Sequence, residues 1–145
     1  MVSLNYMADH RLVIFRLGAL ICAAPATSIR EVIASGTATR IPGALAAVAG
    51  LMNVRGTLLT VVDGRILLGY PAGPADSVLV LQQGERTVGF IVDEVLDLAE
   101  VADDSLSHGD ALPGVDPRLV QAVGHQGDRV FALLDPAALM APVLG

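Results

Sequence analysis

Apolar and polar positions alternate with a period of two over most of the 145-residue chain. This period is typical of half-buried β-strands, and the apolar runs are short and end at Gly or Asp. The strands predicted in the first half cover residues 12–17, 20–24, 39–41, 50–54 and 57–62. Between them, the alanine-rich run 44–49 favours a short helix, and residues 65–68 favour a helical turn.

The pattern restarts after residues 70–76, a turn-rich linker that contains two prolines and a glycine. The strands predicted in the second half cover residues 78–81, 87–92, 120–125 and 129–134. An acidic, polar loop is predicted over 103–116. Asp135 is a plausible N-cap with Pro136 at the first helical position, which predicts a short helix over 137–141.

The two halves of the chain resemble each other. Residues 12–32 resemble residues 77–95, since each segment is a predicted hairpin followed by a charged residue, a glutamate and a valine. Residues 50–63 resemble residues 120–135, since each segment is a predicted hairpin that ends in two aliphatic residues and an aspartate. The repeat predicts an all-β fold of two small β-barrels, an arrangement that removes exposed strand edges. The alternative is that hairpins of any origin look alike.

We therefore expect a single domain over residues 11–141. Its two pseudo-repeated halves cover about 11–69 and 77–141, with 70–76 as linker and 1–10 as an N-terminal tail. A strand from one half of the sequence can also belong to the barrel of the other half.

Composition narrows the range of functions. The chain is 53% apolar, and nine basic residues, all arginine, against fifteen acidic ones give a net charge of −6. No basic cluster is available for phosphate backbones or anionic lipids, which argues against nucleic acid and membrane surfaces as partners. The apolar stretches are shorter than the roughly 18–20 residues that span a bilayer. No secretory signal is apparent, so a cytoplasmic protein is expected.

Few residues offer chemistry. Cys22 is alone, which excludes an intrachain disulfide, and its apolar strand predicts a buried, inert thiol. His10, His108 and His125 lack metal-ligand spacing, so neither a metal nor a cofactor is expected. A small β-barrel enzyme or ligand-binding protein that uses Cys22 and a histidine is the less favoured alternative.

Three aspartates, Asp63, Asp93 and Asp135, each follow a β-run. Their position invites an acid–base interpretation, but carboxylates at strand exits commonly accept backbone N–H groups. No glycine-rich phosphate loop is present. The sequence therefore predicts no catalytic residue.

The turn Asn53-Val54-Arg55-Gly56 lies between two aliphatic strands. Gly56 suits the positive φ that such a turn often needs. An arginine there can bind a carboxylate of a partner, and arginine is enriched at interface hot spots. Two alternatives stay open: Arg55 is simply solvated, or it is paired within the chain with Asp63 or Glu31.

Seven short motifs in order resemble the CheW-like domain of bacterial chemosensory systems, from about Arg11 to Ala141. Each motif is weak alone, and their common order and spacing carry the resemblance. They are Leu12-Val13-Ile14-Phe15-Arg16-Leu17-Gly18, Ile29-Arg30-Glu31-Val32, Thr39-Arg40-Ile41-Pro42, Gly50-Leu51-Met52-Asn53-Val54-Arg55-Gly56, Val61-Val62-Asp63, Val88-Gly89-Phe90-Ile91-Val92-Asp93-Glu94-Val95 and Leu133-Leu134-Asp135.

The resemblance implies two SH3-like, five-stranded β-barrels in a non-enzymatic adaptor. Such adaptors couple the cytoplasmic tip of methyl-accepting chemoreceptors to the regulatory domain of a CheA-type histidine kinase, and they join other CheW-like domains in rings within receptor arrays. An adaptor of a pilus or other chemosensory pathway is the alternative. The partner-binding residues that it implies are Ile29, Glu31, Gly50, Asn53, Val54, Arg55 and Gly56.

Four positions depart from the family pattern. Thr60 and Gly64 replace the Pro and Leu of the usual Pro-Val-Val-Asp-Leu-Arg, and Leu45 and Ala47 stand where Pro and an aromatic residue are common. We expect these changes to loosen the surroundings of the Arg55 hairpin.

Overall fold

The computed structural model describes residues 9–108 and 112–144, which contain eleven strands and two short helices. The strands are β1 (Asp9–Leu17), β2 (Leu20–Pro25), β3 (Ile29–Ala34), β4 (Val48–Val54), β5 (Thr57–Asp63), β6 (Ser77–Gln83), β7 (Arg86–Val92), β8 (Glu94–Ala102), β9 (Leu106–His108), β10 (Val120–Gln126) and β11 (Arg129–Leu134). The helices are α1 (Gly64–Leu67) and α2 (Pro136–Leu144).

The strands form two sheets. Sheet A has the order β8-β1-β2-β11-β10-β9, and sheet B has the order β3-β6-β7-β5-β4. Neighbouring strands are antiparallel except for the parallel pairs β2–β11 and β5–β7. The predicted mainly β class is confirmed, and sheet A carries one strand more than the expected five, the three-residue β9.

The two sheets are built in the same way. In each sheet, a hairpin from one half of the sequence lies among strands from the other half. The hairpin β1–β2 lies in sheet A beside second-half strands, and β6–β7 lies in sheet B beside first-half strands. The segment at Thr39 corresponds to β9. Thr39 forms an isolated bridge to Leu51 of β4, and β9 pairs in the same way with β10. Each sheet therefore contains strands from both halves of the sequence.

The main core lies between the two sheets. Phe15 of β1 and Phe90 of β7 are fully buried, and their rings meet edge to face with centroids 6.3 Å apart. Helix α2 follows β11 of sheet A but packs against strands of sheet B, where Leu139 and Met140 are buried. Burial of this apolar surface drives the two sheets together.

The predicted hairpins are confirmed, because each is a local pattern with a glycine in its turn. The predicted helix over 44–49 is wrong. Hydrogen bonds from Ala44 N to Ile41 O and from Val48 N to Leu45 O form turns there, and Val48 already begins β4. Six residues cannot offset the cost of helix nucleation when strand pairing competes for part of them.

Three strands were not predicted from the pattern. Strand β3 pairs with β6, and its residues alternate between half-buried and exposed, so that it reads as a polar segment. Strand β8 pairs with β1 and has a bulge opposite Ile14 and Phe15, which disturbs its period. The short β9 lies in the segment 103–116 that was predicted to be a loop. All three are outer strands of their sheets, and the strand predicted over 39–41 is wrong, since only an isolated bridge at Thr39 forms there.

Candidate partner-binding site

The turn between β4 and β5 projects Arg55 from the end of sheet B. Arg55 has φ 53° and Gly56 has φ 85°, as in a two-residue type I′ hairpin turn. Arg55 is the one non-glycine residue with positive φ in the described ranges. The Asn53 side-chain oxygen accepts a hydrogen bond from Gly56 N at 2.9 Å and fixes the turn.

Arg55 is paired with Glu31 of β3. Its Nη1 lies 2.8 and 3.1 Å from the two carboxylate oxygens of Glu31. The Arg55 side chain is 69% exposed and that of Glu31 is 27% exposed, so the pair is open to solvent. Of the alternatives left open by the sequence, pairing with Glu31 is the one observed. The guanidinium remains accessible to a partner.

The pair forms the rim of a surface depression of about 240 Å³. Buried Leu59 and Val80 line it, and the 64% exposed side chain of Leu58 stands beside them. The complete lining is Arg30, Glu31, Val54, Arg55, Thr57, Leu58, Leu59, Val80 and Thr87. An apolar side chain of a partner fits such a surface, while the charged rim selects the orientation.

The structure brings three of the predicted site residues together in the depression: Glu31, Val54 and Arg55. Asn53 and Gly56 shape the turn. Ile29 is half-buried and packs against the core between the sheets, and Gly50 also lies outside the lining. Leu58 was not predicted to be a site residue. It is the second residue of β5, directly after the Arg55 turn, and this position beside the turn could have indicated it from the sequence.

Gly50 permits a close approach of two backbone segments. Its φ is +139°, and a Cβ built on it would lie 2.0 Å from the carbonyl oxygen of Thr39. Thr39 and Leu51 exchange two backbone hydrogen bonds of 2.7 and 2.8 Å next to it. Gly50 therefore allows the segment at Thr39 to lie against β4, outside the lining of the depression.

Two of the residues considered for chemistry, Cys22 and His10, have defined surroundings. Cys22 is buried, and desolvation raises the pKa of its thiol to about 12. His10 binds Asp103 at the surface, with 2.7 Å between Nε2 and Oδ1. Within the part of the chain that the structure describes, no cluster of three or more His, Cys, Asp or Glu side chains suits a metal ion.

The three strand-end aspartates accept backbone N–H groups, as the structural interpretation predicted. Asp63 accepts from Arg65 N at 2.9 Å, Asp93 from Gly18 N at 2.7 Å, and Asp135 from Ala137 N at 3.0 Å. Asp63 and Asp135 thereby begin α1 and α2 at corresponding places in the two halves.

The family departures do not loosen this region uniformly. Gly64 is tightly packed, since a Cβ there would lie 2.6 Å from Cζ of Phe90. Thr60 pairs with Leu51, and Ala47 packs against the core. Leu45 is 63% exposed and lines two further apolar depressions beside α2.

None of the helices in the described ranges is long and apolar enough to cross a membrane.

Two β-subdomains that share a core, with a mixed apolar and charged depression on one of them, define a protein-interaction module. Residues 11–143 match the model of the CheW-like domain family, and the chain belongs to that family. It is a CheW-like scaffold adaptor of chemosensory signalling and has no enzymatic activity of its own.

Relatives support this assignment. "Probable chemotaxis protein CheW" of Rhizobium etli is 34% identical over 105 residues, which cover 70% of this chain and 67% of the relative. "Protein PilI" of Pseudomonas aeruginosa is 31% identical over 131 residues, which cover 86% of this chain and 72% of PilI. The fold matches that of scaffolding protein TtCheW from Thermoanaerobacter tengcongensis with a TM-score of 0.80 at 18% identity, over 88% of this chain and 89% of TtCheW.

Proposed function

We propose that this adaptor couples the cytoplasmic tip of a methyl-accepting chemoreceptor to the regulatory domain of a CheA-type histidine kinase by binding both at once. It would do so in the cytoplasm, recruited to membrane-associated receptor arrays. Membership of the family supports the adaptor role. The observation that carries the receptor site is the solvent-open Arg55–Glu31 pair on the rim of an aliphatic depression.

The receptor is proposed to bind at this depression. A helical hairpin presents an apolar face that fits between Leu58, Leu59 and Val80. Arg55 Nε and Nη2 make no hydrogen bond to any residue in 9–108 or 112–144, so they are available to an acceptor on the receptor. Gly50 and Ile29 are proposed to act indirectly, by holding β4 and β3 in place.

The kinase is proposed to bind elsewhere, because a bridge requires two separate surfaces. Sheet A ends in β8 and β9, and the Arg55 depression is formed by strands of sheet B. We place the kinase's regulatory domain at an edge of the sheet A subdomain, packed barrel to barrel. Other CheW-like domains would use the same kind of contact to form rings.

The charge reversal Arg55→Glu tests the receptor site. It places a second carboxylate beside Glu31, and we expect a folded protein that no longer forms the ternary complex with a receptor tip and a kinase regulatory domain. Arg40→Glu is the control for net charge, since Arg40 is exposed, lies outside the lining of the depression and is not part of sheet A, where the kinase is proposed to bind. Assembly at wild-type levels by Arg55→Glu in a pull-down would refute the site.

A charge swap separates a partner contact from an internal one. The double variant Glu31→Arg, Arg55→Glu can remake the ion pair within the chain but inverts the charges that the rim presents. If Arg55 contacts the receptor, the swap fails to restore binding. Restored binding would show that the pair only maintains the fold of sheet B.

A second candidate is an adaptor of a pilus or other chemosensory pathway. The match to PilI favours it, because that alignment covers more of the chain than the match to the Rhizobium etli CheW. Measured affinities for receptor tips and kinase domains from each chemosensory gene cluster of the source organism distinguish the two. The pathway whose pair forms the ternary complex at the lowest concentration is the one that the adaptor serves.

A further inference from the structure

A buried arginine lies where the two sheets meet. Arg65 of α1 is 3% exposed. Its Nε and Nη2 donate to the two carboxylate oxygens of Asp63 at 2.8 and 3.0 Å, and Nη1 donates to Asp93 at 3.1 Å. The carbonyl oxygens of Gly73 and Pro74 accept the two remaining N–H groups at 2.9 and 3.0 Å. All five donors of the guanidinium are therefore used.

Asp93 carries this network into sheet A. It lies between β7 of sheet B and β8 of sheet A, and its second carboxylate oxygen accepts from Gly18 N in the β1–β2 turn at 2.7 Å. The backbone N–H of Asp93 donates to Arg16 O of β1 at 3.0 Å. The neighbouring carboxylates raise the pKa of Arg65, so the guanidinium stays charged inside the network.

The linker 70–76 crosses the same junction. At one end the Tyr70 ring covers the β1–β2 turn, so closely that a Cβ on Gly18 would lie 2.6 Å from Cγ of Tyr70. At the other end the carbonyl groups of Gly73 and Pro74 bind Arg65. The linker therefore contacts sheet A through Tyr70 and is held to the end of β5 through Arg65.

The internal repeat shows that this arrangement is built at one place only in the described chain. Arg65 stands two residues after Asp63, and the corresponding position after Asp135 is Ala137. The turn that corresponds to Gly18 contains Gly84, where a Cβ would meet nothing within 4 Å. The corresponding positions of the second half therefore lack both the buried arginine and the ring that covers the turn.

We propose that Arg65 and the linker 70–76 form a clamp that fixes the angle between sheet A and sheet B. Apolar burial holds the sheets together but is not directional, so it permits small changes of angle. Charge-assisted hydrogen bonds are directional and strong when buried, and they select one arrangement. An adaptor with partners on both sheets transmits a change of angle only if the joint between the sheets is defined.

The glycine pair provides a matched test. Gly18 and Gly84 have φ of +59° and +60°, so Gly18→Ala and Gly84→Ala carry the same backbone strain. Only Gly18→Ala displaces Tyr70. We expect it to speed hydrogen exchange of the Tyr70 and Asp76 amides, which donate to Arg65 O and Asp93 O, by about tenfold or more, without a matching change in the β10–β11 hairpin. Equal exchange of these two amides in both variants would overturn the clamp.

Arg65→Lys tests the guanidinium itself, because lysine keeps the charge but has three donors in place of five. Residual dipolar couplings report the angle: the wild-type sheets fit one alignment tensor, and the variant's sheets should require two or show a changed angle. Arg118→Lys, at an exposed arginine, is the control. A single unchanged tensor, or exchange accelerated equally throughout the chain, would show a purely structural role. If Arg65→Lys does not fold, the glycine pair decides.

Discussion

Glu31 lies on β3 at one end of sheet B and Arg55 lies in the β4–β5 turn at the other, yet Nη1 of Arg55 contacts both carboxylate oxygens of Glu31, at 2.8 and 3.1 Å. The sheet order places β3 first and the β4–β5 hairpin last, so this contact requires the sheet to curl until its ends approach each other. In sheet A, Arg129 of the β10–β11 hairpin lies 3.9 Å from Asp97 of β8 in the corresponding arrangement. The proposed receptor site is thus a product of barrel curvature.

Arg55→Asn should remove the guanidinium without harming the fold. Asparagine tolerates the positive φ that Arg55 adopts, which offsets the loss of a solvent-exposed ion pair. The ion pair is worth little because Arg55 is mostly exposed. We expect the free energy of unfolding in urea to stay within about 0.5 kcal/mol of wild type while ternary assembly is lost.

Arg55→Val is the contrasting variant at the same position. A β-branched side chain is strained at φ 53°, so Val should lower the unfolding free energy by about 1 kcal/mol or more. If Asn and Val are equally destabilising, the turn does not require the left-handed conformation, and Arg55 contributes to stability through its contacts instead.

Gly50→Ala should be strongly destabilising. The new Cβ would lie 2.0 Å from Thr39 O, a backbone atom that cannot rotate away. The segment at Thr39 must move and lose its two hydrogen bonds to Leu51, which we expect to cost more than about 2 kcal/mol of unfolding free energy. Chemical denaturation measures the loss.

Gly43→Ala is the control for this prediction. Gly43 also has a positive φ, +79°, but a Cβ there meets nothing within 4 Å. Its cost should be limited to backbone strain of about 1 kcal/mol. Equal costs for the two variants would mean that the contact with Thr39 is not what makes Gly50 sensitive.

The sequence predicted the hairpins well because their pairing is local and their turns contain glycine. It missed β3, β8 and β9, since an outer strand is stabilised by a distant neighbour and its own alternation is weak. The same limit applies to the site. Pairing of Arg55 with Asp63 was as reasonable as pairing with Glu31 until the structure placed Asp63 against Arg65.

Packing between distant segments was also beyond the sequence. The glycine at position 64 reads as a loosening change, but Phe90 occupies the space where a side chain would lie. Arg65 reads as an ordinary residue of a short helical turn. It can be buried because five acceptor atoms surround its guanidinium, and these atoms come from the end of β5, the linker and Asp93. Neither relation leaves a local pattern.

Asp135→Ala should remove the N-cap of α2. The Asp135 carboxylate accepts from Ala137 N at 3.0 Å, and its loss should cost about 1 kcal/mol of unfolding free energy. Asp135→Ser keeps an acceptor and should restore most of it. Because α2 packs on strands of sheet B, hydrogen exchange should show the loosening in α2 first. A cost for Ser as large as that for Ala would contradict a capping role.

The Cys22 thiol should react slowly in the native protein. Burial raises its pKa from 9.0 to about 12, so the thiolate fraction at pH 8 is roughly a thousandfold lower than in the unfolded chain. We expect alkylation by iodoacetamide to be at least about a hundredfold slower in native protein than in urea. Rapid native alkylation would revive the alternative of a reactive cysteine.

The same burial gives stability a defined pH dependence. The folded-state pKa of Cys22 is raised, so its contribution is fully present below about pH 9 and is lost as the pH rises towards 12. Between about pH 9 and pH 10.5 the unfolded thiol ionises while the native one does not, which should lower the unfolding free energy by about 2 kcal/mol. Cys22→Ala removes this dependence but keeps that of the tyrosines, so the difference between the two unfolding curves isolates the thiol. Parallel curves over this range would show that Cys22 is not desolvated in the native state.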